Sequence, residues 1–162
     1  WVMWFVIGNM GSANWSKVQE HLRGRYRLQT DEAQSFLLGF AVEPPGPEAP
    51  SSGGEALVQG VHGQHLLVDG RELLLLRAEV CSDRALDPLA ALLHSAKLVL
   101  GALVLTGNHY VLRYSLPLSS LALPDLDYAL AYLAREAALT RARIAQHNAS
   151  PEVRSRVPHW TE

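Results

Sequence analysis

The run from Leu98 to Leu118, LVLGALVLTGNHYVLRYSLPL, constrains the fold of this 162-residue chain more than any other segment. Apolar, β-branched and aromatic residues lie on both sides of Thr106-Gly107-Asn108-His109, which predicts two short strands joined by a tight turn. A helical pattern lies on each side of this strand pair. The run contains no catalytic motif, no metal-ligand set and no phosphate-binding loop. It therefore predicts an architecture without supplying any chemistry.

Length and composition predict one folded domain. Apolar residues make up 48% of the chain and charged residues 19%, and the formal net charge of −2 gives no general attraction for nucleic acid or an anionic membrane. We expect an N-terminal extension at residues 1–11, a single α+β domain at 12–148 and a flexible C-terminal tail at 149–162. The first residues, WVMWFVIGNM, are too short an apolar run to span a membrane and lack the features of a signal peptide. They predict no membrane association.

The single cysteine, Cys81, excludes a disulfide within the chain and favours a reducing, cytoplasmic location. It follows an apolar segment, so we expect a buried, inert thiol. A catalytic cysteine would need a base close in space, which the sequence does not show.

The first half of the domain predicts one helix and three or four short strands. A helix near residues 14–23 begins at Asn14, a good N-cap, and ends at Gly24. Strands follow at 35–42, 56–61, 64–68 and 71–80; the break between the middle two lies near Gly63, and Asp69-Gly70 predicts a hairpin turn. The Pro/Gly/Ser-rich stretch 43–54 is a loop by composition.

Two further helices complete the pattern. The second opens at Asp87-Pro88 and runs to about residue 100, where Gly101 would end it; its predicted buried stripe is Leu89, Leu92, Leu93 and Ala96. The third starts at Pro124, with an apolar stripe of Leu126, Leu130, Leu133, Ala137 and Ile144. The order α-β-β-β-α-β-β-α predicts an α+β fold: a single antiparallel sheet of about five strands with three helices on one side.

The second helix is apolar on more than one side. A sheet covers only one face of a helix, so a partner chain is the natural cover for the other. The sequence therefore predicts an isologous homodimer built on this helix. The expected interface residues are Leu89, Leu92, Leu93, Ala96, Leu100 and Leu103.

No pattern in the sequence predicts a catalytic, cofactor-binding or metal-binding residue. The close histidine pair, His62 and His65, would face opposite sides of a strand, whereas zinc needs at least three converging ligands. No Gly-rich phosphate loop or nucleophile elbow is present. Asp125 and Asp127 lie in the first turn of a predicted helix, where the helix dipole favours acidic residues. We expect a protein that is not an enzyme and has no cofactor.

A basic cluster follows the first helix. Arg23, Arg25 and Arg27 surround Tyr26, and cations with a stacking ring can bind single-stranded nucleic acid. The competing interpretation is a solvated helix end whose arginines pair with Asp31-Glu32. We favour the second, since nucleic-acid-binding domains are strongly basic and this chain is not.

The element order resembles that of the YbjN family and of the type III secretion chaperones that share its fold, the CesT/Tir chaperone-like fold. The resemblance covers about residues 56–145. It is carried by RELLLLRAEVC at 71–81, the helix at 87–100, GALVLTGNHYVLRYSLPL at 101–118 and LPDLDYAL at 123–130. In such proteins the middle helix and a neighbouring strand form the dimer interface.

The resemblance implies a non-enzymatic role. Proteins of this fold bind protein clients or act as accessory, stress-linked factors, which implies a bacterial, dimeric, chaperone-like protein with an unidentified protein client. Strand addition at a sheet edge is one way to hold such a client. The alternative function is that of a nucleic-acid accessory factor acting through Arg23, Arg25, Tyr26 and Arg27.

Overall fold

A single antiparallel sheet with helices on one face forms the body of the protein. The computed structural model describes residues 14–42 and 57–149, with Leu57 described by its backbone only. Three helices are present in this part of the chain: α1 Trp15–Arg25, α2 Pro88–Ser95 and α3 Leu123–Ala149. The six strands are β1 Leu28–Asp31, β2 Ser35–Val42, β3 Leu57–Val68, β4 Arg71–Ser82, β5 Ala102–Thr106 and β6 His109–Pro117. They are ordered β1-β2-β3-β4-β6-β5, and every neighbouring pair is antiparallel. The predicted α+β class with one antiparallel sheet is confirmed.

Helix starts follow the predicted caps. The Asn14 side chain accepts a 2.9 Å hydrogen bond from the backbone N–H of Lys17. The Asp87 carboxylate accepts from two backbone N–H groups at the start of α2, and Pro88 occupies the first helical position. Both caps satisfy N–H groups that the first helical turn leaves without a partner.

Both predicted hairpin turns are present. Asp69 and Gly70 have φ of +50° and +74°, as a type I′ turn between β3 and β4 requires. Gly107, with φ of +62°, lies in the turn between β5 and β6. Both turns were predictable from the sequence because their positive φ angles depend only on the residues of the turn.

The strand prediction is wrong in two places. The sheet has six strands rather than about five, because the polar segment Leu28–Asp31 pairs with β2. The predicted break near Gly63 is absent, since β3 is continuous. Gly63 lies across from Phe36 on β2, and a Cβ atom there would overlap the Phe36 ring. The glycine therefore accommodates a core side chain rather than ending a strand.

The predicted helix ends are also wrong. Helix α1 continues through Gly24 to Arg25. Helix α2 ends at Ser95 rather than near residue 100. Beyond it, the N–H of Val99 donates to the Tyr132 hydroxyl at 3.0 Å, and the N–H of Leu103 donates to Ser95 Oγ at 3.0 Å. These bonds hold residues 96–101 in a turn that leads into β5.

The hydrophobic core lies between the helices and one face of the sheet. Helix α1 contributes Trp15, Val18 and Leu22, and α3 contributes the predicted stripe, of which Leu126, Leu130, Leu133 and Ala137 are fully buried. The sheet contributes alternate residues, among them Phe36, Leu38, Val61, Leu74, Leu76, Ala78 and Leu112. The opposite face, which we call the open face, carries no helix in the described part of the chain.

Helix α2 does not bury its leucines in its own chain. Leu89, Leu92 and Leu93 are 65%, 68% and 58% exposed, and Ala91 is the buried residue of this helix. Ala96 is exposed and Leu100 is half-buried. Leu103 is 7% exposed and belongs to the core, so its side chain is not on the surface. The predicted buried stripe is therefore an exposed surface.

The predicted N-terminal extension 1–11 and loop 43–54 lie outside the described residues, as does all of the predicted tail beyond Ala149. None of the helices described is both long and apolar enough to cross a membrane.

Candidate binding surfaces

The first candidate surface is an apolar patch at the edge of the sheet. We define the α2 patch as Leu89, Leu92, Leu93 and Val99, the last of which is 78% exposed. Leu105 on the adjacent edge strand β5 is also 54% exposed. Single exposed apolar residues are ordinary, but a concentration of large ones on a short helix and its neighbours is typical of an interaction surface.

The edge strand beside this patch is partly closed. The Leu103 N–H points away from β6 and is occupied by Ser95 Oγ. An added strand would need that N–H as a donor. Strand addition at this point of β5 is therefore blocked by α2.

The second candidate surface is a cleft at a fork in the sheet. The pairing of β3 with β4 stops at His62 and Arg77. Before His62, β3 pairs with β2 alone; beyond Arg77, β4 pairs with β6 alone. The two strands diverge, and the sheet opens between them.

Two side chains, one from β3 and one from α3, donate hydrogen bonds to β4 at the fork. Gln59 Nε2 donates to the carbonyl of Glu79 at 3.1 Å, and Arg141 Nη2 donates to the same carbonyl at 2.8 Å. Arg141 Nε also donates to the carbonyl of Val80 at 3.0 Å. These bonds satisfy backbone acceptors that the missing strand ladder leaves open. Gln59 is 2% exposed, and its Oε1 has no hydrogen-bond partner among the described residues.

The cleft that results has a volume of about 610 Å³. We call it the fork cleft. Polar and apolar side chains are mixed in its lining, which consists of Leu37, Gln59, Gly60, His62, Arg77, Glu79, Thr106, His109, Val111 and Arg141.

Arg77 is the central cation of the fork cleft. Its Nη2 lies 3.1 Å from His62 Nδ1 and donates at 3.1 Å to Gln64 Oε1. Burial lowers the pKa of His62, and the nearby charge of Arg77 lowers it further, while Glu32 acts weakly in the opposite direction. A neutral His62 can accept from Arg77, so the guanidinium is oriented by two neutral acceptors.

The basic cluster predicted as a nucleic-acid contact is largely paired within the chain. Arg23 donates to both carboxylate oxygens of Asp31, at 2.6 and 3.0 Å, and this bond lowers the pKa of Asp31. This is the pairing that the competing interpretation predicted for Arg23. Arg25 and Tyr26 instead contact Asp127. Arg27 is exposed and has no ion pair in the described part of the chain.

Metal-ligating side chains do not converge in the described residues, where no group of three or more His, Cys, Asp or Glu is placed to hold an ion. His62 lies on the open face, whereas His65 stacks on Trp15 on the helical face, with ring centroids 5.1 Å apart. Cys81 is half-buried, and burial raises the pKa of its thiol. A raised pKa favours the protonated thiol. The thiol is less buried than the sequence predicted.

Sequence reasoning missed the fork cleft. A usable signal was present, since polar residues recur at every second position along neighbouring strands: His62 and Gln64, then Arg77 and Glu79, then Arg113 and Ser115. Such alternation is typical of a sheet with one face open to solvent. The run of four leucines at 73–76 interrupts this alternation on β4.

Comparison with known proteins gives no assignment: no model of a protein family matches the chain, and no curated protein and no solved structure is significantly similar to it.

Proposed function

We propose that the chain is a non-enzymatic, chaperone-like protein that forms a homodimer through the α2 patch and binds a segment of a partner protein. One observation carries this proposal: three leucines of an eight-residue helix are each more than half exposed. Leaving such side chains in water forgoes roughly 1.5–3 kcal/mol each, so a covered state is favoured.

The order of the elements supports the same proposal. Apart from the additional strand β1 at the sheet edge, the order is the α-β-β-β-α-β-β-α of the YbjN and type III secretion chaperone-like pattern. The position of α2 beside edge strand β5 agrees with the role of the middle helix in that fold. The cytoplasmic location in this proposal rests on the single cysteine.

The second function considered, nucleic-acid binding through the basic cluster, has weaker support. Three of its four residues, Arg23, Arg25 and Tyr26, already contact a carboxylate of the chain. A phosphate would have to displace these partners, so we do not adopt this function.

Sedimentation velocity at micromolar concentration tests the dimer. We expect a dimer for the wild type and a monomer for Leu92→Asp, because a carboxylate buried in an apolar interface is strongly unfavourable. Leu67→Asp is the matched control, since Leu67 is 70% exposed at the far end of β3; it should remain dimeric. A monomeric wild type would refute the dimer.

Affinity purification with mass spectrometry tests the client. The wild-type protein should recover one dominant partner from its own cell extract. Recovery of no partner would count against client binding.

A further inference from the structure

Two arginines lie directly opposite each other on the open face. Arg77 on β4 is the cross-strand partner of Arg113 on β6, so both side chains leave the sheet on the face without helices. Like charges at directly opposite positions destabilise an antiparallel pair. Neither guanidinium has a carboxylate within 4.0 Å in the part of the chain that the structure describes. Among the described residues, the two charges therefore have no ion-pair partner.

This arrangement is unlike that of the arginines near α1. Arg23 and Arg25 each lie next to a carboxylate of the chain. Arg77 is instead held by the neutral side chains of His62 and Gln64, and it is half-buried. A guanidinium has five N–H donors, so most of the donors of Arg77 remain available. These two acceptors hold the Arg77 guanidinium in place without neutralising its charge. Such an arrangement is expected of a group that binds an anion.

Apolar side chains surround the arginine pair on the same face. Leu75 lies two positions before Arg77 on β4 and is only 6% exposed, although none of the described helices covers this face. Leu37 and Val111 line the fork cleft beside Arg77. The surface thus combines two cations that have no ion pair in the described part of the chain with partly or fully buried apolar side chains.

We propose that the open face binds an acidic, partly apolar protein segment, with one carboxylate held between Arg77 and Arg113 and neighbouring apolar side chains against Leu37 and Val111. This inference rests on the proposed function, because it places the client on a surface distinct from the α2 patch. Two guanidinium groups can each donate to one carboxylate with well-aligned, charge-assisted hydrogen bonds.

The position of Glu79 favours a protein segment over a nucleic acid as the ligand of the open face. Its carboxylate lies in the same cleft, 3.7 Å from His109 Nε2 and outside ion-pair distance of Arg77. A strand of regularly spaced phosphates would place negative charge against Glu79. A segment with an isolated carboxylate and apolar neighbours avoids that repulsion, so a protein segment is the better match.

Panning a random peptide library displayed on phage against the wild-type protein is the test. We expect the selected peptides to contain Asp or Glu next to large apolar residues. Arg113→Glu should weaken the affinity of a selected, fluorescently labelled peptide by at least about tenfold, since the new carboxylate pairs with Arg77. The same variant should unfold at a higher temperature than the wild type, because it converts a like-charge pair into an ion pair.

Arg135→Glu is the matched control. It makes the same change of charge at an exposed position on α3, on the helical side of the sheet. It should leave the peptide affinity unchanged. An equal loss of affinity in both variants would show a general charge effect and overturn the proposal.

Three other results would also overturn it: selected peptides without acidic residues, undiminished binding by Arg113→Glu, or tighter binding of a single-stranded oligothymidine than of the peptides. Sedimentation separates this inference from the proposed function. A monomeric protein that selects acidic peptides would refute the dimer alone, whereas a dimer that selects none would refute this site alone.

Discussion

The hydroxyl of Tyr26 donates a 2.7 Å hydrogen bond to Asp127, and so connects the end of α1 to the beginning of α3. The same carboxylate lies 2.8 Å from His21 Nε2 and 3.1 Å from Arg25 Nε. Its side chain is 17% exposed, so solvent does not replace these partners easily. Asp127, which the sequence suggests is a dipole-favouring surface residue, is the shared acceptor of three groups.

Asp127→Ala should therefore lower the free energy of unfolding by about 2–3 kcal/mol, as expected for losing hydrogen bonds to a charged, half-buried group. Urea unfolding measures the change. Asp125→Ala is the control, since Asp125 is exposed and makes no side-chain hydrogen bond or ion pair with the described residues; its cost should be about 0.5 kcal/mol or less. Equal effects of the two substitutions would contradict the shared-acceptor role.

Substitution by alanine should change the stability in opposite directions at two glycines. A Cβ atom at Gly24, inside α1, meets nothing within 4 Å, so Gly24→Ala should stabilise the protein by about 0.5–1 kcal/mol. A Cβ atom at Gly63 overlaps the Phe36 ring, so Gly63→Ala should cost about 1–3 kcal/mol. Thermal unfolding of both variants gives the sign of each change.

A double variant identifies the cause of the Gly63 effect. In the Phe36→Leu background, Gly63→Ala should cost less than in the wild type, because the smaller side chain makes room for the methyl group. If Gly63→Ala costs the same free energy in both backgrounds, its effect arises from the backbone and not from the contact with the Phe36 ring.

His62 should make folding stability depend on pH. Burial and the charge of Arg77 hold its pKa below the ordinary 6.5. As the pH falls below 6.5, the unfolded chain binds a proton that the folded chain does not, so stability decreases until the lowered folded pKa is passed. His62→Gln should reduce this loss and leave the stability difference between the two proteins constant at higher pH.

An NMR titration of the His62 ring separates the two causes. The midpoint should lie below 6.5 in the wild type and rise in Arg77→Gln. The midpoint in Arg77→Gln should stay below 6.5, because burial is the larger cause of the lowered pKa and is still present in this variant. A midpoint at or above 6.5 in the wild type would contradict the prediction.

Ser95→Ala should cost about 1–2 kcal/mol, because it leaves the N–H of buried Leu103 without its 3.0 Å acceptor. Ser119→Ala, at an exposed position in the short 3₁₀ turn before α3, is the control and should be close to neutral. Ser95→Ala should also aggregate more readily than the wild type, since the Leu103 N–H at the sheet edge is then free to pair with another strand. Light scattering during storage measures that tendency.

The sequence predicted those elements whose cause is local. The bounds of β2, the turns at Asp69-Gly70 and Gly107, and the caps of α1 and α2 all depend on residues within a few positions of each other. The stripe of α3 was predicted because one face of that helix packs on the sheet over most of its length. Strand β1 was missed because three of its four residues are polar and its pairing with β2 alone defines it.

The two candidate surfaces depend on contacts distant in sequence. Beyond the end of α2 at Ser95, the N–H of Val99 donates to the Tyr132 hydroxyl and the N–H of Leu103 donates to Ser95 Oγ. At the fork, Gln59 and Arg141, 82 positions apart in the sequence, donate to the same carbonyl, that of Glu79. A periodicity argument contains neither contact, so it predicted a longer helix with buried leucines and no cleft.

The fork has a consequence for how such a scaffold can change. A backbone ladder holds two strands about 4.8 Å apart whatever their side chains are. At the fork, the Gln59 side chain connects β3 to β4 instead, and Arg141 connects β4 to α3. Substitution at these two positions can therefore widen or narrow the cleft while every strand keeps its register, so one fold can acquire different ligand preferences through very few mutations.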